Sequence, residues 1–398
     1  MTHWLEIVGI GEDGLDGLAP ATRAVVEAAE VIVGGDRHHT LSAAVNAERV
    51  AWPSPFDAMI DTILDHRGRR IVILVTGDPL WYSVGARILK AIPADEIRFH
   101  PQLSAFQLAA CRMGWSLADV ETLTVHGRHP GQAAAFFAPG ARLLILAQDS
   151  DTPAEIARRL TAAGYGESTM TVLAAMGGPA ETRLDGTAAA WRGAAPAFHT
   201  LAVACAPTPG ARAIPPGIGL PDDVFEHDGQ ITKAEVRAVT LAALRPMRHA
   251  LLWDIGTGAG SVAIEWMRAA RDAEAIGLDP NSERRAMAAR NADRLGAPRL
   301  RLLDARAPEG LADLPRPDAV FVGGGLSEAT VEAALSALKP MGRLVANAVT
   351  LESEALLAAL SARHGGSLRR IGIDRAGPVG ARRGWRPAMP VTQWVIDQ

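Results

Sequence analysis

Leu251-Leu-Trp-Asp-Ile-Gly-Thr-Gly-Ala-Gly-Ser261 carries an apolar run straight into glycines at 256, 258 and 260. A run of this kind suits a strand buried on both faces of a parallel sheet. Glycines directly after it permit a sharp turn and let the backbone come close to a ligand. The spacing is G-x-G-x-G, whereas the dinucleotide fingerprint is G-x-G-x-x-G with the next helix aimed at a pyrophosphate. Ser261 stands where the third glycine of that fingerprint would fall. The loop therefore argues against a nicotinamide-dependent reductase.

S-adenosylmethionine has no phosphate and carries an amino-acid tail, so a differently shaped glycine loop suits it. Asp254, Gly256, Thr257, Gly258 and Gly260 are the expected donor contacts. A second strand, Ala275-Ile-Gly-Leu-Asp279, ends in an acid about 20 residues further on, where a carboxylate can accept from ribose hydroxyls. A third ends at Asp304-Ala305-Arg306, where adenine contacts are expected. A glycine loop alone can be only a structural turn; three consecutive strand ends of this composition are not explained that way. The fourth strand, Asp318-Ala-Val-Phe-Val-Gly-Gly-Gly325, lacks the Asn/Asp-Pro-Pro-aromatic loop of amino-methylating enzymes. Bare backbone there leaves room for a large substrate.

Around this loop, strands and helices alternate as in a doubly wound α/β sheet. The reading gives helix 233–244 with a Thr232/Glu235 capping box. It then gives strands 250–255, 274–279, 299–303, 318–323 and 343–349 with helices 260–270, 282–295, 327–338 and 352–363. Two terminal strands follow, 368–374 and 391–396. Upstream lie strands 4–10, 31–33, 71–75, 142–147, 168–174 and 199–205. Between the halves, residues 206–221 hold five prolines and three glycines, which cannot sustain a helix or a central strand. The predicted division is residues 1–205, a linker over 206–223, and residues 224–398.

The length of 398 residues exceeds the roughly 250–300 at which single cores stop growing, so two domains are the default. With 48% hydrophobic and 21% charged residues, the composition is that of a folded protein. A net charge of −4 gives no general attraction to nucleic acid. No apolar run approaches the roughly 18 residues of a membrane span, and Met1–Glu6 does not read as a signal peptide; a cytoplasmic location is expected. Cys111 and Cys205 lack metal or disulfide spacing and are expected to be small buried hydrophobes. No metal site is predicted.

Several motifs now take on a common meaning. His227-Asp-Gly-Gln-Ile-Thr-Lys-Ala-Glu-Val-Arg237, the glycine loop, Phe321–Gly325, Asn347-Ala-Val-Thr-Leu-Glu352 and Gly384-Trp-Arg-Pro387 resemble the decarboxylating precorrin methyltransferase domain. Val33-Gly-Gly-Asp-Arg-His38, Gly77-Asp-Pro-Leu-Trp-Tyr-Ser83, His126-Gly-Arg128 and Asp151-Thr-Pro153 resemble the tetrapyrrole methylase family. In this order, along nearly the whole chain, they resemble the bifunctional precorrin-6Y C(5,15)-methyltransferases (decarboxylating) of cobalamin biosynthesis.

That resemblance implies a class III tetrapyrrole-methylase α/β fold followed by a Rossmann-like class I methyltransferase fold. It implies methyl transfer to carbons 5 and 15 of precorrin-6Y and loss of carbon dioxide from the ring C acetate, giving precorrin-8. The C-terminal domain is associated with carbon 15 and decarboxylation, the N-terminal domain with carbon 5. Two S-adenosylmethionine sites per chain are implied, the second formed by Gly9, Gly11, Gly77, Asp78, Pro79 and Ser104. The family's Pro-Ser-x-Ser-Ser stretch reads Pro101-Gln-Leu-Ser-Ala105 here, so Ser104 alone carries over. A homo-oligomer is expected from relatives of both domains, and no membrane partner.

Methylating a carbon of a reduced tetrapyrrole needs no strong base, because the conjugated enamine is already nucleophilic. Holding methyl and carbon in line can supply up to roughly 7–11 kcal/mol. Asn347, at the end of a buried strand, and Gln230 and Lys233, ahead of the first helix, are candidate catalytic-pocket residues; Asp78 is the N-terminal counterpart. A substrate rich in carboxylates calls for arginine and histidine. The candidates are Arg37, His38, His126 and Arg128, and Arg382, Arg383 and Arg386 around Trp385. A protein that binds donor or tetrapyrrole without turnover is the non-enzymatic alternative.

Overall fold

Strands β1 (Leu5–Ile10), β2 (Val31–Gly34), β3 (Glu48–Ala51), β4 (Ile71–Thr76) and β5 (Ile97–His100) form one parallel sheet in the order β3-β2-β4-β1-β5. The computed structural model describes residues 3–214 and 216–398. Apart from Glu6 and Thr76, the central strands β1 and β4 are apolar and buried, as a sheet covered on both faces requires. Helices α1 (Pro20–Glu27), α2 (Asp36–Leu41), α3 (Met59–Leu64) and α4 (Gly85–Ile88) accompany this sheet.

A second sheet follows, of β6 (Glu121–Thr124), β7 (Arg142–Leu146), β8 (Thr169–Ala174), β9 (Thr182–Thr187) and β10 (His199–Ala204), ordered β6-β7-β10-β8-β9. Only β6 and β7 run parallel in it. Helices α5 (Ala105–Met113) and α6 (Thr152–Ala162) belong here. Pro153 lies in the first turn of α6, where its missing N–H costs nothing.

The remaining strands are β11 (Leu251–Ile255), β12 (Glu274–Leu278), β13 (Arg301–Leu303), β14 (Ala319–Val322), β15 (Arg343–Ala348), β16 (Ser367–Ile371), β17 (Asp374–Val379), β18 (Arg382–Pro387) and β19 (Val391–Asp397). Helices α7 (Ala234–Leu244), α8 (Ser261–Ala269), α9 (Ser282–Arg294), α10 (Glu328–Ala337) and α11 (Leu351–His364) alternate with them. The sheet order is β13-β12-β11-β14-β15-β19-β16. The first five strands are parallel; β19 is antiparallel to β15 and to β16. The order reverses between β11 and β14, and in doubly wound sheets ligands bind at the carboxyl ends of the strands there. One face of this sheet packs Leu252, Phe321 and Val345 against Leu241 and Trp266, the other Trp253, Val320 and Leu344 against Val331 and Leu357.

The described residues form two compact units, one of residues 3–128 and 139–211, the other of residues 129–138 and 212–398. Residues 129–138 thus group with the C-terminal unit, although the sequence assigns them to the N-terminal part. The proline-rich stretch is pinned rather than loose. The Thr208 amide donates to Gly164, and Gly219 and Leu220 donate to the Glu265 carboxylate. Pro215, within that stretch, lies outside the described residues, as do Met1 and Thr2.

Three local expectations are corrected. No capping box opens α7: Lys233 is its N-cap without a side-chain bond, and Glu235 turns to Arg375. The terminal strands are interrupted by the β17–β18 hairpin, exposed along most of its length and missed because its sequence has no apolar alternation. Cys205 is buried as expected, but Cys111 is exposed on α5 beside the buried Ala109 and Ala110.

Candidate functional site

The carboxyl ends of β11, β12, β14 and β15 open on a cavity of about 890 Å³. Gly256 has φ +74°, and a Cβ there would sit 2.6 Å from the Gly324 Cα and N. The loop after β11 and the glycine run after β14 therefore approach backbone to backbone, which only glycine allows. A Cβ on Gly258, with φ +54°, would meet nothing nearer than the Gln230 carbonyl oxygen at 3.8 Å, and the residue lines the cavity.

Two acids set the shape of this loop. Asp254 is fully buried; its Oδ2 accepts from Thr257 Oγ1 at 2.7 Å and from the Ala263 amide at 3.2 Å. Its Oδ1 has no partner. Burial pushes its pKa from 3.8 up to about 6, against the pull of the two hydrogen bonds. Asp279 accepts from the Gly258 amide at 3.1 Å and the Asn281 amide at 2.9 Å, so it ties the glycine loop to the start of α9.

Of the predicted donor contacts, Asp254, Gly256, Thr257, Gly258, Asp279 and Ala305 line the cavity. Gly260 and Asp304 do not. Gly260 is the left-handed N-cap of α8, and a Cβ on it would meet Ala288 of α9 at 3.1 Å, so it serves helix packing. Asp304 turns outward to Arg285 at 2.8 Å with its side chain 70% exposed. The chain passes the cavity through Ala305 and Arg306 instead.

Asn347, Gln230 and Lys233 all line the cavity. The Gln230 Oε1 accepts from Arg284, which also pairs with Asp228 at 2.8 Å, fastening loop 228–230 to α9. Arg382, Arg383 and Arg386 lie on the exposed strand β18 and do not line the cavity; Arg383 and Arg386 donate to β17 carbonyls. Trp385 between them is 76% exposed. The arginine that the hairpin brings to the cavity is Arg375, which pairs with Glu235 of α7. No motif marks it. The cavity-lining Lys233 and Arg306 make no ion pair among the described residues.

In the N-terminal unit, Gly9, Gly77 and Ser104 converge. A Cβ on Gly9 would lie 1.8 Å from the Gly77 carbonyl oxygen, and one on Gly77 2.8 Å from the Ser104 Cα. Ser104 caps α5 in a capping box with Gln107, so its hydroxyl serves the helix. Asp78 accepts from the Leu80 amide at 2.7 Å, closing the turn through Pro79 rather than capping a helix. Gly11 is half-buried beside Asp13.

Arg37 is held by Glu12 at 2.7 Å and donates to Thr76 Oγ1. His38 accepts the Gly35 amide at Nδ1, so its Nε2 carries the hydrogen directed at Thr76. Burial lowers the His38 pKa to about 4, with Arg37 adding to the effect. A neutral, internally bonded histidine is no cationic clamp, which corrects the expectation for His38. His126 and Arg128 are exposed, and the Arg128 guanidinium lies 5.5 Å over the Tyr82 ring, beside the Gly77–Pro79 turn. Among the described residues, no cluster of three or more His, Cys, Asp or Glu could hold a metal, and no helix is long and apolar enough to cross a membrane.

Residues 223–398 match the precorrin methyltransferase domain, and residues 5–191 the tetrapyrrole (corrin/porphyrin) methylases. Over its full length the chain is 46% identical to a precorrin-6Y C(5,15)-methyltransferase [decarboxylating] from Sinorhizobium sp., covering 99% of this chain and 96% of that one. Two shorter relatives each carry part of that name. A "Probable cobalt-precorrin-6B C(15)-methyltransferase (decarboxylating)" from Pyrobaculum calidifontis is 40% identical, covering 39% of this chain and 79% of its own. A cobalt-precorrin-7 C(5)-methyltransferase from Salmonella typhimurium is 29% identical, covering 42% and 83%.

Proposed function

The chain belongs to the family of precorrin-6Y C(5,15)-methyltransferases (decarboxylating), and from that premise we propose how its two units share the work. The enzyme transfers methyl groups to carbons 5 and 15 of precorrin-6Y and decarboxylates the ring C acetate, giving precorrin-8. The C-terminal unit takes carbon 15 and the decarboxylation, and the N-terminal unit takes carbon 5. The separate C(15) and C(5) relatives support this division.

The residues of the C-terminal cavity fit S-adenosylmethionine. The buried, unpartnered Asp254 Oδ1 is an acceptor for an ammonium group, and the bare Gly256–Gly258 backbone admits close approach. Asp279, with each oxygen already taking one amide, retains lone pairs for ribose hydroxyls. Bound there, the donor supplies an electrophilic methyl on a sulfonium. The protein's part is to hold the macrocycle carbon in line with it and exclude water. Lys233, Arg306 and Arg375 meet the substrate's carboxylates, and Asn347 touches the substrate beside the donor. When carbon dioxide leaves the acetate, the pair of the broken C–C bond passes into the substrate's conjugated imines, and a proton taken up at the remaining methylene carbon completes a methyl group, so no residue need act as a strong base.

A second donor site in the N-terminal unit would be built around Gly9, Gly11, Gly77, Asp78, Pro79 and Ser104. The reading includes a cytoplasmic homo-oligomer acting on a small-molecule tetrapyrrole.

The observation that carries the C-terminal assignment is the cavity that joins the glycine loop, Asp279 and Asn347 at the reversal point of the sheet. Incubation of the full chain with precorrin-6Y and methyl-labelled S-adenosylmethionine tests it. Two labelled methyls and one carbon dioxide per substrate are expected; no incorporation would sink the reading. Calorimetric titration with the donor is expected to give two sites per chain, and NADPH none.

A further inference from the structure

We infer that Thr240 and Gln393 are positioning residues that fix one orientation of the Asn347 amide, so that it offers the cavity one N–H and one carbonyl lone pair. The inference rests on the proposal that Asn347 touches the substrate. Thr240 is fully buried in α7, and its hydroxyl donates to the Val236 carbonyl one turn earlier at 2.8 Å. A hydroxyl has one proton. With that proton spent, the Thr240 oxygen can only accept.

Two amides converge on it: Asn347 Nδ2 at 3.0 Å and Gln393 Nε2 at 3.1 Å. Both must therefore present their NH₂ groups, because an amide oxygen there would face lone pairs. Gln393 lies directly opposite Asn347 in the antiparallel β15–β19 pair, and its second N–H reaches Asn347 Oδ1 at 3.0 Å. Gln393 is fully buried and its own Oε1 has no partner. The amide keeps this orientation although it strands an acceptor, because turning it would set Oε1 against Thr240 and Asn347 oxygens.

What remains of Asn347, half-buried and lining the cavity, is one Nδ2 hydrogen and one Oδ1 lone pair. A substrate carboxylate oxygen accepts from that N–H. An amide free to turn would present its oxygen as often and repel the carboxylate, so the value of Asn347 lies in being locked.

The full chain is assayed for carbon dioxide release from precorrin-6Y, alongside calorimetric donor affinity. Thr240→Val keeps the shape and removes the hydroxyl, and Thr240→Ser keeps the hydroxyl. Misplaced contacts cost up to about 100-fold in rate, so Thr240→Val is expected to lower kcat by about 10- to 100-fold with donor Kd unchanged. Thr240→Ser is expected to restore kcat to within about 3-fold of the parent, the scatter typical of single contacts. Gln393→Met, on a different element, is expected to lower kcat in the same way should Thr240→Val fold poorly. The inference is overturned if either folded variant keeps the parental kcat while Asn347→Ala loses it, or if Thr240→Ser is as slow as Thr240→Val. A parental kcat in Asn347→Ala would instead remove Asn347 from the site.

Discussion

Arg375 lays its guanidinium on the Glu235 carboxylate, Nε lying 3.1 Å from Oε1, and so joins the base of an exposed hairpin to the first turn of α7 at the rim of the cavity. The pair holds the Glu235 carboxyl below its usual range. Both side chains are nearly half exposed, where such pairs add little to stability. Their position matters more than their strength.

A substrate carboxylate can take the place of Glu235 on Arg375. Arg375→Ala is expected to raise KM for the tetrapyrrole about 3- to 10-fold, a modest share of a charged hydrogen bond after solvent screening. Donor Kd and thermal midpoint should stay within error. Steady-state kinetics with calorimetry check this, and an unchanged KM would take Arg375 out of substrate binding.

Asp254 should make donor binding depend on pH. Its carboxyl titrates near 6 when folded, against 3.8 ordinarily. Between those values the folded protein holds the extra proton, so the stability of the donor-free protein falls as pH rises through that window. An ammonium ligand needs the carboxylate, so donor affinity should rise with pH and level off above about 6, with proton release below it. Calorimetry in buffers of different ionisation enthalpy measures this. Asp254→Asn should bind weakly and show no such dependence.

Replacing Asp279 with Ala removes the acceptor of the Gly258 and Asn281 amides. Leaving polar groups unpaired costs about 1–3 kcal/mol, so donor affinity at one site should fall accordingly. Gly256→Ala should be harsher, because the new Cβ meets backbone at 2.6 Å at a positive φ. Two-site titration should then show the C-terminal site lost and the N-terminal site kept. An unchanged isotherm for both variants would move the donor elsewhere.

Arg237 and Glu265, both fully buried, meet at 2.5 Å, and Arg237 also donates to the Thr232 and Leu220 carbonyls. Burial raises the Glu265 pKa despite Arg237, so the carboxylate depends on its partner. Arg237→Met should destabilise the C-terminal unit by about 3–5 kcal/mol, the usual cost of stranding a buried charge. Arg237→Met with Glu265→Leu should recover much of that loss. Denaturant titration followed by tryptophan fluorescence reads both, and equal midpoints for single and double variants would argue against the pairing.

Where an effect is local in the chain, the residues announced it. The glycine loop, its strand and the acid at 279 are encoded within short windows, so strand ends and the glycine-loop side of the cavity are legible. The same motif logic placed Asp304 in the site, but the Arg285 guanidinium draws it outward. It also placed Arg382, Arg383 and Arg386 there, although strand β18 carries them away from the cavity. His38 reads as a cation; burial, with Arg37 beside it, keeps it neutral while its ring bonds Gly35 and Thr76.

By itself the sequence determined the α/β alternation, the glycine-bound cavity and the family, because each rests on order and spacing along the chain. The tertiary structure alone decided that Arg375 reaches the cavity, that residues 129–138 group with the C-terminal unit, and that Thr240 and Gln393 converge on Asn347. Thr240 and Gln393 stand 153 positions apart, and no local pattern foretells that an antiparallel strand will set Gln393 opposite Asn347. Register across a sheet is fixed by the burial of whole strand faces, a property of the packed chain and not of any one stretch of it.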